Sequence, residues 1–191
     1  EIHGVQTICL SATKNDTIQT YFDTPFEEVL QGSVAVNEKI RSYYLETKDK
    51  KTTLLSLLQS LPITSAIVFV NHRSTAIELS ELLLRNHILS SAFSGYFDER
   101  KRIAIMSDFR KGDIRVLVAT DAAARGLDIH ELSHVIHYDI PIDTETFIHR
   151  SGRTAHQGDK GISISLLTSE EMKSEVGMYI RMHSQAYTPQ D

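Results

Sequence analysis

The sequence predicts a three-layer α/β domain built on a mostly parallel sheet, and three observations predict it. Short continuous apolar runs of strand length recur along the chain, as in strands buried on both faces. Between them lie stretches whose apolar residues fall three and four apart, the spacing of an amphipathic helix. The two patterns alternate from about Val36 onward. Such alternation implies parallel pairing through right-handed crossovers.

Each element follows from its residues. Residues 41–46, Arg-Ser-Tyr-Tyr-Leu-Glu, mix aromatic and polar side chains as a strand does. Leu54, Leu55, Leu57, Leu58 and Leu61 then fall on one side of a helix that Pro62 stops. Ala66-Ile67-Val68-Phe69-Val70 reads as a doubly buried strand. Ala76, Ile77, Leu79, Leu82 and Leu83 mark a helix over 74–86, with Ser74 as its N-cap. A weaker strand at 91–93 precedes a helix over 98–109 that Gly112 closes. Residues 116–119 and 134–138 are further strands, 144–150 a helix, 162–166 a strand and 169–182 a last helix. Residues 1–33 hold one apolar strand, 6–10, without sheet partners in this chain. They are expected to be the tail of a preceding domain, with 34–191 forming the second.

Composition narrows the function classes. At 191 residues the chain is long enough to bury a core without staples. Its single Cys9 excludes a disulfide framework and a cysteine-based zinc site. No run approaches the ~18 apolar residues of a membrane span. Lys and Arg number 20 against 25 Asp and Glu, a net charge of −5, so any nucleic-acid surface must be a local patch. The chain opens on Glu1 without a leader pattern and is expected to be part of something longer. A lone thiol fits a reducing interior, so an intracellular location, cytoplasmic or nuclear, is expected, as is a monomer.

In open parallel sheets the working loops lie at the carboxyl ends of the strands. Here these contain Asn71-His72-Arg73, Ser94-Gly95, Thr120-Asp121, Asp139-Ile140-Pro141 and Ser11-Ala12-Thr13. Three clusters carry chemistry. In the stretch from Thr120 to Asp128, exposed backbone N–H groups beside a hydroxyl offer a phosphate cradle. Gly126 allows close approach there, and Asp128 can accept from a sugar hydroxyl. On spacing alone, a helix start capped by Thr120 or Asp121, with Arg125 paired to a surface acid, is favoured instead. In His149-Arg150-Ser151-Gly152-Arg153, the two arginines are i,i+3 neighbours suited to a polyphosphate. A solvated basic helix end is the alternative. Arg100, Lys101, Arg102, Arg110, Lys111 and Arg115 form the one dense basic stretch, diluted by Asp98, Glu99, Asp108 and Asp113.

No Gly-x-x-x-x-Gly-Lys-[Ser/Thr] occurs, nor an Asp-Glu pair after an apolar strand. The chain therefore has no phosphate-binding loop or magnesium site of its own. His134 and His137 lie on opposite faces of one strand, a poor metal pair.

Together the clusters resemble the second RecA-like domain of a DEAD-box ATP-dependent RNA helicase. Ser11-Ala12-Thr13 is similar to the family's motif III, and residues 66–73 to motif IV. Ser94-Gly95 through Arg102 resembles the RNA-facing segment, and Phe109-Arg110-Lys111-Gly112 the Phe-x-x-Gly that follows. Residues 120–128 match motif V, Thr-Asp-x-x-Ala-Arg-Gly-Leu-Asp, and residues 149–153 match motif VI, His-Arg-x-Gly-Arg. The resemblance runs through nearly the whole chain, in order.

What the resemblance implies is carried position by position. Thr120 and Arg102, with Gly95 and Arg110, would bind single-stranded or locally duplex RNA with little sequence preference. Gly126, Asp128 and Arg125 would meet ATP, and Arg153 would act as the arginine finger on its γ-phosphate. His149 and Arg150 would couple ATP to the RNA surface, and Ser11 and Thr13 would transmit closure between domains. Mg2+ would be held by the missing N-terminal RecA-like domain, without which this half would be inactive. Two positions depart from the family. Glu99 stands where it usually carries Gln, free to pair with Arg102 or Arg150, and His156 where a second arginine reaches the γ-phosphate. The implied function is RNA-stimulated ATP hydrolysis coupled to local unwinding or RNP remodelling. The alternative is a hydrolysis-deficient clamp or scaffold, to which His156 would point.

Overall fold

The computed structural model describes residues 40–125, 129, 132–154 and 161–187. These residues belong to one compact unit, Asn37–Asp191. Its strands are β1 (Ile40–Glu46), β2 (Ala66–Phe69), β3 (Ser90–Phe93), β4 (Val116–Ala119), β5 (His134–His137), β6 (Gly161–Leu167) and β7 (Gln185–Ala186). They form a seven-stranded sheet of order β3-β4-β2-β5-β6-β1-β7 in which every pairing is parallel. The helices are α1 (Lys50–Ser60), α2 (Arg73–Arg85), α3 (Glu99–Lys111), α4 (Asp121–Ala124), α5 (Thr144–Ser151) and α6 (Glu175–His183).

Right-handed crossovers make the direction of travel across the sheet decide the covering layer. The chain moves one way through α1 and α2, toward β3. It returns the other way through α3, α4, α5 and α6. The packing agrees. Leu54, Leu57 and Leu58 of α1 and Ala76, Leu79 and Leu83 of α2 share a core with Ala66, Val68, Val116, Val118, Ile136 and Ile164. On the opposite face, Ile67, Phe69, Leu117, Ala119 and Val135 pack against Ile105 and Met106 of α3 and Ala123 and Ala124 of α4. Alternate residues of one strand thus feed two cores, so the central strands read as unbroken apolar runs. Phe147, Leu167, Val176 and Ile180 extend the second core under α5 and α6.

The polar exceptions cluster. His137 is fully buried, and its Nε2 lies 3.2 Å from Ser151 Oγ and 3.1 Å from Ser163 Oγ. Its ring stands between Phe69 and Phe147. Burial, and then the nearby Arg150 cation, hold its pKa well below the ordinary value. Burial likewise pushes His134 down to about 4.

The ends of the elements show where local chemistry and expectation part. Gly112 closes α3 in the left-handed region at φ 83°, as the sequence predicts, whereas Asp98, expected as the first helical residue, instead caps the helix by accepting from Lys101 N–H. The expected N-cap of α2 at Ser74 is overturned, because His72 takes that position. Asn71 pins the preceding turn, its N–H donating to Asp139 Oδ2 and its side chain to the Ile140 carbonyl, so the helix begins at Arg73. The expected single helix over 169–182 is instead a 3-10 turn at Glu171–Lys173 followed by α6. Two caps cause the break. Thr168 and Glu171 bond each other's backbone N–H groups in a capping box, and Ser174 Oγ then accepts from Gly177 N–H. Strand β7 was not foreseen; only its pairing with Tyr43 and Tyr44 makes it a strand.

Two predictions follow from the packing. A Cβ on Gly177 would run into the Glu171 carbonyl, with backbone rather than a flexible side chain in its way. Gly177→Ala should therefore destabilise by about 1–3 kcal/mol, although Gly→Ala within a helix ordinarily stabilises. A thermal melt checks it, and an unchanged or raised Tm would refute the close packing. The second concerns pH. Above the ordinary histidine pKa the folded and unfolded imidazoles are both neutral. As pH falls below 6.5 toward about 4, the unfolded chain takes up protons that His134 and His137 refuse. Stability should fall across that window by up to about 1.4 kcal/mol per pH unit for each histidine. A urea midpoint that stayed flat between pH 7 and pH 5 would contradict it.

Candidate functional site

All strands of the sheet being parallel, their carboxyl ends share one edge, and the flagged loops at Asn71-His72-Arg73, Ser94-Gly95, Thr120-Asp121 and Asp139-Ile140-Pro141 lie there. Strands β2 and β5 are neighbours from which the chain leaves in opposite directions, through α2 and α5. Between such strand ends an α/β sheet opens a crevice. Here a guanidinium fills it. Arg150, from the last turn of α5, is only 2% exposed. Its Nε donates to Asp121 Oδ1 at 2.7 Å and its Nη2 to Asp121 Oδ2 at 2.6 Å, a bidentate ion pair. Its Nη1 donates to the Asp139 carbonyl at 2.7 Å, and Nη2 also reaches Asn71 Oδ1 at 3.2 Å. The guanidinium lies 4.9 Å from the centroid of Phe69.

That geometry corrects one expectation. Arg150 and Arg153 do not present two unpaired guanidiniums to a polyphosphate. Arg150 is paired and faces inward, where it ties the ends of β2, β4 and β5 to α5. Arg153 sits half-buried in the turn after α5, its carbonyl accepting from Leu132 N–H at 3.4 Å. His149, one residue before Arg150, is exposed.

Asp121 opens α4 directly after β4, so the pair with Arg150 positions the whole short helix. Thr120 takes the N-cap position, but its hydroxyl makes no cap hydrogen bond. Arg125 ends α4 exposed and pairs with no acid among the described residues, unlike the surface pairing weighed from the sequence.

The basic stretch divides. Arg102 lies in the first turn of α3, at the carboxyl edge, its guanidinium 5.5 Å from the Phe93 ring centroid. Its Nε is buried with no hydrogen-bond partner among the described residues. Neither Arg102 nor Arg150 pairs with Glu99, which is exposed. Gly95 faces open space, for a Cβ there would meet nothing within 4 Å. Arg110 lies in the last turn of α3, about 12 Å farther along the helix from Arg102 at 1.5 Å per residue, away from that edge. Arg115 precedes β4 at the opposite end of the sheet and donates to the Leu58 carbonyl, a structural bond. Ser11, Thr13, Gly126, Asp128 and His156 lie outside the described residues, as does Cys9.

Sequence reasoning missed Asp121 as the partner of Arg150. The signal was an acid at a strand end with an arginine-bearing helix later in the chain, but 29 residues separate them. It also missed the aromatic members of the edge, Tyr96 and Phe97, each of which meets a cation.

The family described as the helicase conserved C-terminal domain matches residues 49–158. The ATP-dependent RNA helicase DeaD of Mycobacterium tuberculosis is 37% identical over 152 residues, which is 80% of this chain and 27% of that protein. The ATP-dependent RNA helicase FAL1 of Kluyveromyces lactis is 34% identical over 174 residues, 87% of this chain and 44% of that protein. The chain thus spans well under half the length of these curated relatives. Among solved structures, E. coli DEAD-box protein SrmB bound to regulator of ribonuclease activity A superposes with a TM-score of 0.74 at 36% identity. That match covers 80% of this chain and 93% of the other. S. cerevisiae Dbp5 bound to RNA and ADP BeF3 gives a TM-score of 0.79 at 29% identity, over 93% of this chain and 50% of that one.

The Arg150–Asp121 pair generates a test of its own. Arg150→Ala removes the donor from two carbonyl oxygens and from the Asp121 carboxylate, which is itself 30% exposed, and should cost about 1.5–3 kcal/mol. Replacing both members with apolar residues, Arg150→Met with Asp121→Leu, should cost less than the sum of the single changes. A double-mutant cycle by urea denaturation reads this, and simple additivity would sink the pairing.

Proposed function

The chain belongs to the helicase conserved C-terminal domain family, in its DEAD-box branch, and from that premise we propose that it is the second RecA-like half of an RNA-dependent ATPase. In this reading it closes with an N-terminal RecA-like domain on ATP and RNA, and local unwinding or RNP remodelling results. The observation that carries the reading is the buried Arg150–Asp121 pair, which makes one mechanical unit of the two motif segments at the carboxyl edge. One of these begins at Thr120 and runs to Asp128; the other runs from His149 to Arg153.

The roles divide along that unit. Thr120, Arg102 and Gly95 face RNA in this reading, contacting sugar and phosphate, so an acidic chain needs only a local patch. The uncapped Thr120 hydroxyl and the Arg102 guanidinium, unclaimed by any described acid, support this. Arg110 would reach RNA only farther along α3. Arg125 and Arg153 serve ATP, together with Gly126 and Asp128. Arg153 stabilises charge on the γ-phosphate, and Arg150 couples rather than touches, since it is buried and makes four hydrogen bonds to Asp121, Asp139 and Asn71. Among the described residues no group of three His, Cys, Asp or Glu converges as for a metal ion. In this reading Mg2+ would be held by the other domain, with which Ser11 and Thr13 would couple closure. The domain alone would not turn ATP over.

ATP hydrolysis by the full-length protein, with and without single-stranded RNA, tests the reading. RNA should stimulate turnover, and Arg153→Ala should lower it by about 10³-fold or more. His156→Arg should raise turnover, since it places a permanent positive charge where the family carries a second arginine. Tight RNA binding without turnover would overturn the ATPase reading in favour of the clamp.

A further inference from the structure

The turn after β3 carries three cation–aromatic pairs at increasing distance from the core. Arg102 lies over the buried Phe93 at 5.5 Å, and Lys101 over the half-buried Phe97 at 3.9 Å. Arg73, the first residue of α2, lies 4.8 Å from the ring centroid of Tyr96. Tyr96 differs from the other two in keeping 83% of its surface exposed.

That exposure is built in. Ser94 is buried, its Oγ accepting from Tyr96 N–H at 3.3 Å and its carbonyl from Phe97 N–H at 3.1 Å. Phe97 packs into the core beneath α3, so the turn is held from below and the ring between its anchors points outward. Open space lies over the adjacent Gly95. The surroundings favour an anion. Arg73 faces Tyr96 from α2, and Arg100, Lys101 and Arg102 follow in the first turn of α3 beside Asp98 and Glu99. The Asp98 carboxylate is spent capping α3 at Lys101 N–H. None of the four cations pairs with an acid among the described residues.

A fixed, exposed aromatic ring backed by a guanidinium, within a cationic patch, is the arrangement that takes an unpaired base on its face and the adjoining phosphates on its rim. We propose that Tyr96, held by Arg73, is a stacking platform for an unpaired nucleobase of the bound RNA strand. The proposal rests on the RNA-binding reading above and adds a base contact to the phosphate contacts of Thr120 and Arg102. Every base has a π-face, so the platform gives affinity with little sequence preference.

The test is single-stranded RNA binding by the full-length protein with a non-hydrolysable ATP analogue. The probes are a uridine oligomer and an oligomer of the same length with its bases removed. Tyr96→Ala should weaken binding of the uridine oligomer by about 5- to 100-fold. Tyr96→Phe and Tyr96→Trp should bind like the parent, and the Trp fluorescence should be quenched on binding. On the abasic oligomer, Tyr96→Ala and the parent should be equal. The slope of affinity against salt should be unchanged by Tyr96→Ala and reduced by about one by Arg102→Ala. A Tyr96→Ala protein that binds the uridine oligomer as the parent does overturns this inference and leaves the RNA reading standing; the ring is then a contact for something other than RNA. A parent that binds neither oligomer removes the RNA reading and this inference with it. Because Tyr96 is exposed, an unchanged urea midpoint should accompany each Tyr96 variant.

Discussion

The buried guanidinium of Arg150 is the constraint around which the carboxyl edge is arranged. Removing a guanidinium from water costs several kcal/mol and is repaid only by near-complete, well-aligned hydrogen bonding. Here the bidentate carboxylate of Asp121, the Asp139 carbonyl and the Asn71 amide supply it, from the ends of β4, β5 and β2. None of those ends can shift without breaking one of these bonds. The turn at Asn71 that sets the start of α2, and the position of α4 with Thr120 at its head, are therefore fixed by one side chain on α5.

The neighbourhood is suited to that cation. His137 is held neutral by burial and by Arg150 itself, so no second positive charge competes in the interior. Its ring hydrogen-bonds serines of α5 and β6 and stacks near the same Phe69 that Arg150 covers. Apolar strand faces, a neutral polar layer and one fully paired ion thus follow one another toward the edge.

The surface cations are handled differently. Inside, Arg150 is satisfied by oxygen acceptors; outside, Arg73, Lys101 and Arg102 lie over aromatic rings. A cation over a ring is oriented without being neutralised, and remains able to meet an anion. The same edge therefore offers a rigid interior tie and a charged exterior.

The strands except β7, most of the helix bounds and the closure at Gly112 were legible in the sequence, because each depends on residues within a few positions of one another. Burial on both faces writes itself as an unbroken apolar run, and a cap as a residue type at a boundary. The motif clusters were legible for the same reason, their members being adjacent in the chain. The start of α2 was not, because Asn71 is pinned by residues 68 and 69 positions away. Strand β7 needed its neighbour β1, and the break at Ser174 needed two caps acting against helical spacing. Above all, the sequence could not say whether Arg150 faces a ligand or an acid. An unpaired arginine and one paired 29 residues upstream look alike along the chain. Strand order and crossover direction decide which side chains meet, and those are properties of the assembled sheet.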